Sequence, residues 1–193
     1  MPGSTNEVTY SVNNFVADVK RIIGSKGTGN TALRAIGTHL RKLVIEGGDL
    51  RTQGTEVQNP GALPSRALYN DPDGQFRISV AQFAPDKPTP IHSHYRWGAE
   101  CVISGEERFT VWELANQDAN SKTAALKVVS DEHVRKGDIQ VWYDPPKNVH
   151  RQWAYGKEPV CLVIILGGDG SREHLFDLEA GTYEDAPPRV ATS

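Results

Sequence analysis

Two histidines stand two residues apart, His92 and His94, just after Pro90 and Ile91. On a β-strand, side chains at i and i+2 leave the same face, so both imidazoles can aim at one point. Neutral imidazole is a ligand for Fe, Zn, Cu and Ni, and a metal ion is what most often needs such a pair. A third histidine, His150, follows the loop Asp144-Pro145-Pro146-Lys147-Asn148-Val149. Three imidazoles hold a metal while leaving coordination positions open, which is what a catalytic metal requires. The predicted ligands are therefore His92, His94 and His150. The other histidines read differently: His39 as a solvated helix residue beside Arg41 and Lys42, His133 and His174 as surface residues.

Two further residue types could act beside a metal. Glu100 lies six residues after His94 and has three roles open to it: metal ligand, acid–base group beside the metal, or partner of an arginine such as Arg96 or Arg77. Arg66, Arg77 and Arg96 are candidates to orient a substrate carboxylate, because a guanidinium pairs with it in a bidentate way. Trp97, Trp142, Tyr143, Trp153 and Tyr155 cluster around the histidine motifs in sequence, as barrel packing or as the lining of a pocket.

The elements that would carry these residues change character along the chain. Phe15, Val16, Val19, Ile22 and Ile23 are spaced for one helical face, with Gly24 as a stop. Ala32, Leu33, Ile36, Leu40, Leu43 and Val44 line a second helix that Gly47-Gly48 ends. From Arg66 onward the pattern is short strands. Asp71-Pro72-Asp73-Gly74 is a turn, and Phe76, Ile78 and Val80 alternate with Arg77, Ser79 and Ala81. Residues 116–122 read as a polar loop, and 126–129, 141–143, 150–153 and 160–166 as further strands. Residues 1–10 and the end after Pro187-Pro188 read as loose, while Leu175, Phe176, Leu178 and Tyr183 argue that part of the tail packs. Short strands at regular spacing predict a mainly β barrel or jelly roll with an N-terminal helical segment.

A chain of 193 residues fits one domain, 1–193, with helices over 11–47, a barrel core over 64–166 and a C-terminal extension over 167–193. A net charge of −3 with scattered Lys and Arg gives no electrostatic support for nucleic acid as a partner. No apolar run approaches the length of a membrane span and no charged-then-apolar leader opens the chain, so neither a membrane partner nor export is expected. Cys101 and Cys161 both fall in apolar strand-like runs and read as buried thiols in a reducing cytoplasm.

The run from Thr89-Pro90-Ile91-His92-Ser93-His94 to Gly105, with His150 behind a proline loop, resembles the two-motif signature of the cupin superfamily. That resemblance implies a double-stranded β-helix, a jelly-roll barrel with a metal in its mouth. Cupins usually carry a glutamate ligand seven residues before the closing glycine; counted back from Gly105, that position is Gly98, and Glu100 lies two residues later. Three histidines without that glutamate, together with the run Ala67 to Val80 and Trp97-Gly98, look like the cysteine dioxygenase-like family, particularly its bacterial thiol dioxygenase members. The likeness covers roughly residues 11 to 185. It implies a mononuclear non-haem Fe(II) enzyme, O2 as co-substrate, and a small thiol oxidised to a sulfinate. Gly98 would stand where animal members carry a cysteine cross-linked to tyrosine, and Arg66 falls near the arginine that binds the substrate carboxylate.

One feature departs from that family. Its Ser-x-His-x-Tyr relay aligns with Leu162, Ile164 and Leu166, all apolar. A greasier pocket wall and Glu100 favour, as an alternative, carbon–carbon cleavage of a diketone or hydroxyaryl ketone. A non-oxidative isomerase or hydrolase with Glu100 as acid–base group, and a ligand-binding cupin without turnover, are the remaining readings. Pairing into a homo-oligomer through barrel edges stays open.

Overall fold

Phe76, Ile78 and Val80 are buried on one face of their strand, while Arg77, Ser79 and Ala81 leave the other. The same alternation organises most of the molecule, because a sheet with two covered faces needs two sets of inward side chains. The structure, a computed structural model, describes residues 9–57, 65–85, 87–94, 96–143, 149–168 and 173–186. The sequence expectations for 1–8, for the loop at 144–148 and for the end after 187 lie outside the described residues, as does part of the connector before Ser65.

Two helices come first, α1 (Val12–Lys26) and α2 (Asn30–Glu46). Twelve strands follow among the described residues: β1 (Thr55–Val57), β2 (Ser65–Asn70), β3 (Phe76–Phe83), β4 (Ile91–Ser93), β5 (Gly98–Ser104), β6 (Glu106–Asp118), β7 (Thr123–Arg135), β8 (Ile139–Trp142), β9 (Val149–Ala154), β10 (Val160–Gly167), β11 (His174–Asp177) and β12 (Thr182–Asp185). One antiparallel sheet runs β1-β2-β3-β10-β5-β8, and the other strands close in the order β11-β12-β7-β6-β9-β4. This is the mainly β architecture with an N-terminal helical segment that the strand spacing predicts.

The helices pack on the outer face of the first sheet. Phe15, Leu33, Ile36 and Leu40 meet Phe76, Ile78, Ala99, Val163 and Ile165 in one buried cluster. Each fully buried side chain of this kind contributes about 1.5–3 kcal/mol, so this layer holds the sheet rigid behind the barrel. Lys20 of α1 reaches the turn after β2 and pairs with Asp71 at 2.7 Å. Ser11 caps α1 by accepting from the Asn14 backbone N–H. The helix does not stop at Gly24. It passes through that exposed position and ends at Gly27, whose φ of +67° suits a residue without a Cβ.

The inner faces of the two sheets meet in a second cluster, where Val102 and Leu166 touch Phe109, Val134 and Ala154. The polar loop expected at 116–122 is shorter than the sequence suggests: β6 continues to Asp118 and β7 starts at Thr123, making one long hairpin. The tail contributes β11 and β12, and Leu175 of β11 lies opposite His92 of β4. His174 is therefore not a surface residue. It is 2% exposed, stacks on the Tyr183 ring at 4.6 Å and faces Asp185 at 3.0 Å.

Gly98 is fixed by a neighbour rather than by its dihedrals. A Cβ at this position would run into the indole of Trp142, its register partner on β8. The space beside residue 98 is filled by Trp142. Gly98→Ala should destabilise the fold by about 1–3 kcal/mol through that overlap, and thermal unfolding of the variant would show it. An unchanged melting temperature would mean that Trp142 moves aside at no cost.

Candidate metal centre

His92 and His150 lie directly opposite each other on β4 and β9, and His94 follows two residues after His92. Ring centroids are 4.5 Å apart for His92–His150, 4.7 Å for His92–His94 and 5.2 Å for His94–His150. Their ligand nitrogens all fall within 4.8 Å of one another, so the three histidines could hold a metal ion. His94 and His150 are buried and His92 is half-buried, which leaves the site open on one side.

Hydrogen bonds behind the rings select the coordinating nitrogen. His92 Nδ1 donates to the Pro90 carbonyl at 2.9 Å, and His94 Nδ1 donates to Glu173 Oε1 at 3.1 Å. With Nδ1 engaged, Nε2 of each ring carries the lone pair toward the centre. Glu173 is steadied by Arg96, whose guanidinium donates to the same oxygen at 2.8 Å. A carboxylate behind a histidine is the support that imidazole ligands of metals almost always have, so the donor set fits a metal on its own geometry. His150 packs against rings: Phe109 stacks on it at 5.4 Å and Trp142 lies at 5.0 Å.

A cavity of about 320 Å³ opens onto His92 and His94. Ser65, Arg77, Ser79, Thr89 and Gln152 supply its polar wall, and Phe83, Ile164 and Leu166 its apolar one. Ile164 and Leu166 are two of the three positions where the cysteine dioxygenase-like relay would stand; the third, Leu162, is fully buried. Of the five aromatic residues near the motifs in sequence, Trp142 packs against His94 and His150. Trp97 packs in the helix-side core, Trp153 lies under the Arg108 guanidinium, and Tyr155 sits against His133.

The other predicted site residues divide. Arg66 lies opposite Val80, on the helix side of β3, and its guanidinium donates to the Gln53 and Gly54 carbonyls at 2.6 and 2.8 Å. Arg77 leaves the opposite face and lines the cavity. Glu100 lies outside the three-histidine cluster. The register of β5 against β10 is unbroken from Gly98 to Val102, and the irregularity comes only after it, so no bulge shifts Glu100 toward the histidines. Glu100 is fully buried inside the barrel and accepts a hydrogen bond from Gln152 Nε2 at 2.5 Å. The same nitrogen donates to Glu107 Oε1 at 3.1 Å, so two buried carboxyls share one amide.

Two carboxylates cannot both stay ionised in such a place, because burial disfavours the charged form and no arginine or lysine among the described residues pairs with either. Burial pushes the Glu100 carboxyl up to about 8, against the lowering effect of the Gln152 hydrogen bond. Glu107 is held well above the ordinary carboxylate range, by burial first and by the charge of Glu100 second. Glu107, Gln152, Phe109 and Glu173 are not among the site residues that the sequence suggests. Gln152 has a signal there, two residues from His150 on one strand face; Glu107 has one too, a charge at a position in phase with Phe109 and Val111. Glu173 has none, since only the closing of β11 on β4 brings it to His94.

His94→Ala should abolish metal retention, measured by metal analysis after desalting, while circular dichroism shows the barrel intact; full occupancy in the variant would remove His94 from the ligand set. A second expectation concerns pH. Glu100 keeps its proton in the fold until about pH 8 but loses it near 4.5 when unfolded. The native protein therefore binds the extra proton between those values, and stability falls as pH rises through that window. Glu100→Gln should remove this dependence, so its melting temperature gains on the wild type from pH 4.5 to pH 8. A gap that stays constant over that window would contradict a protonated Glu100.

No protein-family model and no curated protein matches the chain. Solved structures do resemble it. A protein with a double-stranded β-helix domain from Klebsiella pneumoniae is 19% identical, over 63% of this chain and 90% of that one, with a TM-score of 0.43. A cupin-like protein from Thermotoga maritima is 16% identical, over 69% and 97%, with a TM-score of 0.45. A hydroquinone 1,2-dioxygenase from Sphingomonas, solved with 4-hydroxybenzoate bound, is 12% identical, over 49% and 60%, with a TM-score of 0.38. Two of these structures are thus of a protein with a double-stranded β-helix domain and of a cupin-like protein.

Proposed function

We propose that this chain is a mononuclear non-haem Fe(II) dioxygenase that oxidises a small organic acid with O2, in the manner of the thiol dioxygenases. The observation that carries the reading is the set of three imidazoles, two with Nδ1 already engaged, at the edge of a cavity that Arg77 also lines. His92, His94 and His150 would hold the iron and leave positions open for substrate and O2. Bound there, Fe(II) supplies the one-electron chemistry with O2 that no side chain in the cavity can supply.

The chain's own residues do the rest. Arg77 pairs with the substrate carboxylate, taking the role that the resemblance suggests for Arg66. Phe83, Ile164 and Leu166 keep water from the side of the cavity next to the reacting atoms. A cavity of about 320 Å³ is at the small end of ligand sites, which suits a substrate of a few carbon atoms. Glu100 acts from behind Gln152 and not as a ligand.

A second reading, carbon–carbon cleavage of a diketone or hydroxyaryl ketone, is favoured by one observation: the cavity wall carries Ile164 and Leu166 where thiol dioxygenases place polar relay groups. Oxygen uptake by the iron-loaded protein separates the two. Consumption with cysteine or 3-mercaptopropionate is the expected result; consumption only with a β-diketone or hydroxyaryl ketone selects the second reading, and none with any of them contradicts both. With the active substrate, Arg77→Ala should raise KM by about 10-fold or more, the effect of losing a hydrogen-bonded charge pair. An unchanged KM would take Arg77 out of substrate binding.

A further inference from the structure

Gln152 is the point where the buried acid pair meets the cavity. It follows His150 by two residues on β9, so its side chain leaves the strand on the same face as a metal-binding imidazole. Its main chain is pinned on both sides: its N–H donates to Thr89 Oγ1 at 3.0 Å, and its carbonyl accepts from the Thr89 N–H at 2.9 Å. Its Nε2 donates to Glu100 and, at 3.1 Å, to Glu107. A primary amide has two N–H donors and both are used here. Glu100 Oε1 and Glu107 Oε2, which have no other partner among the described residues, are left for a proton shared by the pair.

The direction of the amide follows. With the pair's proton held between Glu100 Oε1 and Glu107 Oε2, the two oxygens that face the amide accept from its nitrogen end, and the carbonyl end turns the other way. Gln152 lines the cavity, and among the described residues its Oε1 has no hydrogen bond. A fixed acceptor thus stands in a wall that otherwise offers hydroxyls, a guanidinium and apolar groups. An acceptor held so firmly discriminates: a ligand that brings an N–H or O–H satisfies it, and a ligand that brings a methylene leaves it buried without a partner.

We propose that Gln152 is a specificity-determining residue, whose Oε1 accepts a hydrogen bond from an N–H or O–H that the substrate carries close to its metal-binding atom, and that Glu100 and Glu107 are positioning residues that hold the amide in that direction. The inference rests on the reading of the three histidines as the metal site. It sets a second requirement on the substrate beside the acidic group that meets Arg77. It also gives the buried acid pair a use, since two apolar residues would fill the same space without carboxyls to desolvate.

The test uses cobalt(II)-loaded protein and two thiols, cysteine and 3-mercaptopropionate, which differ by one ammonium group. Binding is read from the thiolate-to-cobalt absorption band, without turnover. The wild type should bind cysteine about 10-fold more tightly than 3-mercaptopropionate, the worth of one charge-assisted hydrogen bond. Gln152→Met should bring the ratio near one. The double variant Glu100→Gln, Glu107→Gln, in which the amide can turn over, should lose part of the preference, and it decides the matter if Gln152→Met does not fold. A ratio near one in the wild type, or a ratio that Gln152→Met and the double variant both leave unchanged, overturns the inference while the metal site stands. A Gln152 that only satisfied two carboxyls would give that second result. Failure of the protein to retain cobalt would instead remove the metal-site reading, and the inference with it; retained cobalt that gives no band with either thiol would overturn the inference while the metal site stands.

Discussion

The pairing of His92 with His150 across β4 and β9 is the constraint on which the rest of the site depends. Opposite residues on an antiparallel pair sit closer than any other two residues on neighbouring strands, so one register choice brings two imidazoles within reach of one ion. Strand periodicity then brings in His94 without further design. Holding β4 in place is harder, because three residues make a weak strand. The tail solves this by laying β11 against β4, and the same closure delivers Glu173 to the back of His94. Behind the first sheet, the helices supply the apolar mass that keeps β3, β10 and β5 from flexing.

Below the histidines the barrel carries an unusual layer. Glu100, Glu107 and Gln152 are all buried, and none is paired with an arginine or lysine among the described residues. Burying two carboxyls is costly unless at least one is kept neutral, so the fold itself dictates a shared proton there. The physical consequence is an amide whose nitrogen end is committed, a short distance along β9 from His150. On the proposed function, substrate choice would rest on a cationic wall residue, Arg77, and a neutral acceptor, Gln152, beside the apolar groups of the same cavity.

Much of this is legible in the amino-acid sequence. The three histidines can be read because the strand period of two is local, and the helix faces because their apolar spacing is local too. Arg77 is not picked out over Arg66, because a charge out of phase with the buried Ile78 and Val80 reads as solvent-facing until the helix layer is seen to cover that apolar face and turn the other one to the cavity. Arg66 lies on β2, where no alternation shows which face is inside, and a register shift between Ala67 and Tyr69 scrambles the phase further. The role of Glu100 is not readable, because its partners come from β6 and β9. The burial of His174 escapes for the same reason: a polar tail residue is buried only if distant strands accept it. Gly24 misleads because an exposed glycine weakens a helix by about 1 kcal/mol without ending it.

X-ray absorption at the iron edge of the iron-loaded protein tests the central claim most directly. The account predicts a scattering pattern from three imidazoles, with the remaining ligands supplied by water or substrate and the pattern unchanged in Glu100→Gln. Fewer than three imidazoles, or the loss of an oxygen scatterer in Glu100→Gln, would contradict a site built by His92, His94 and His150 alone.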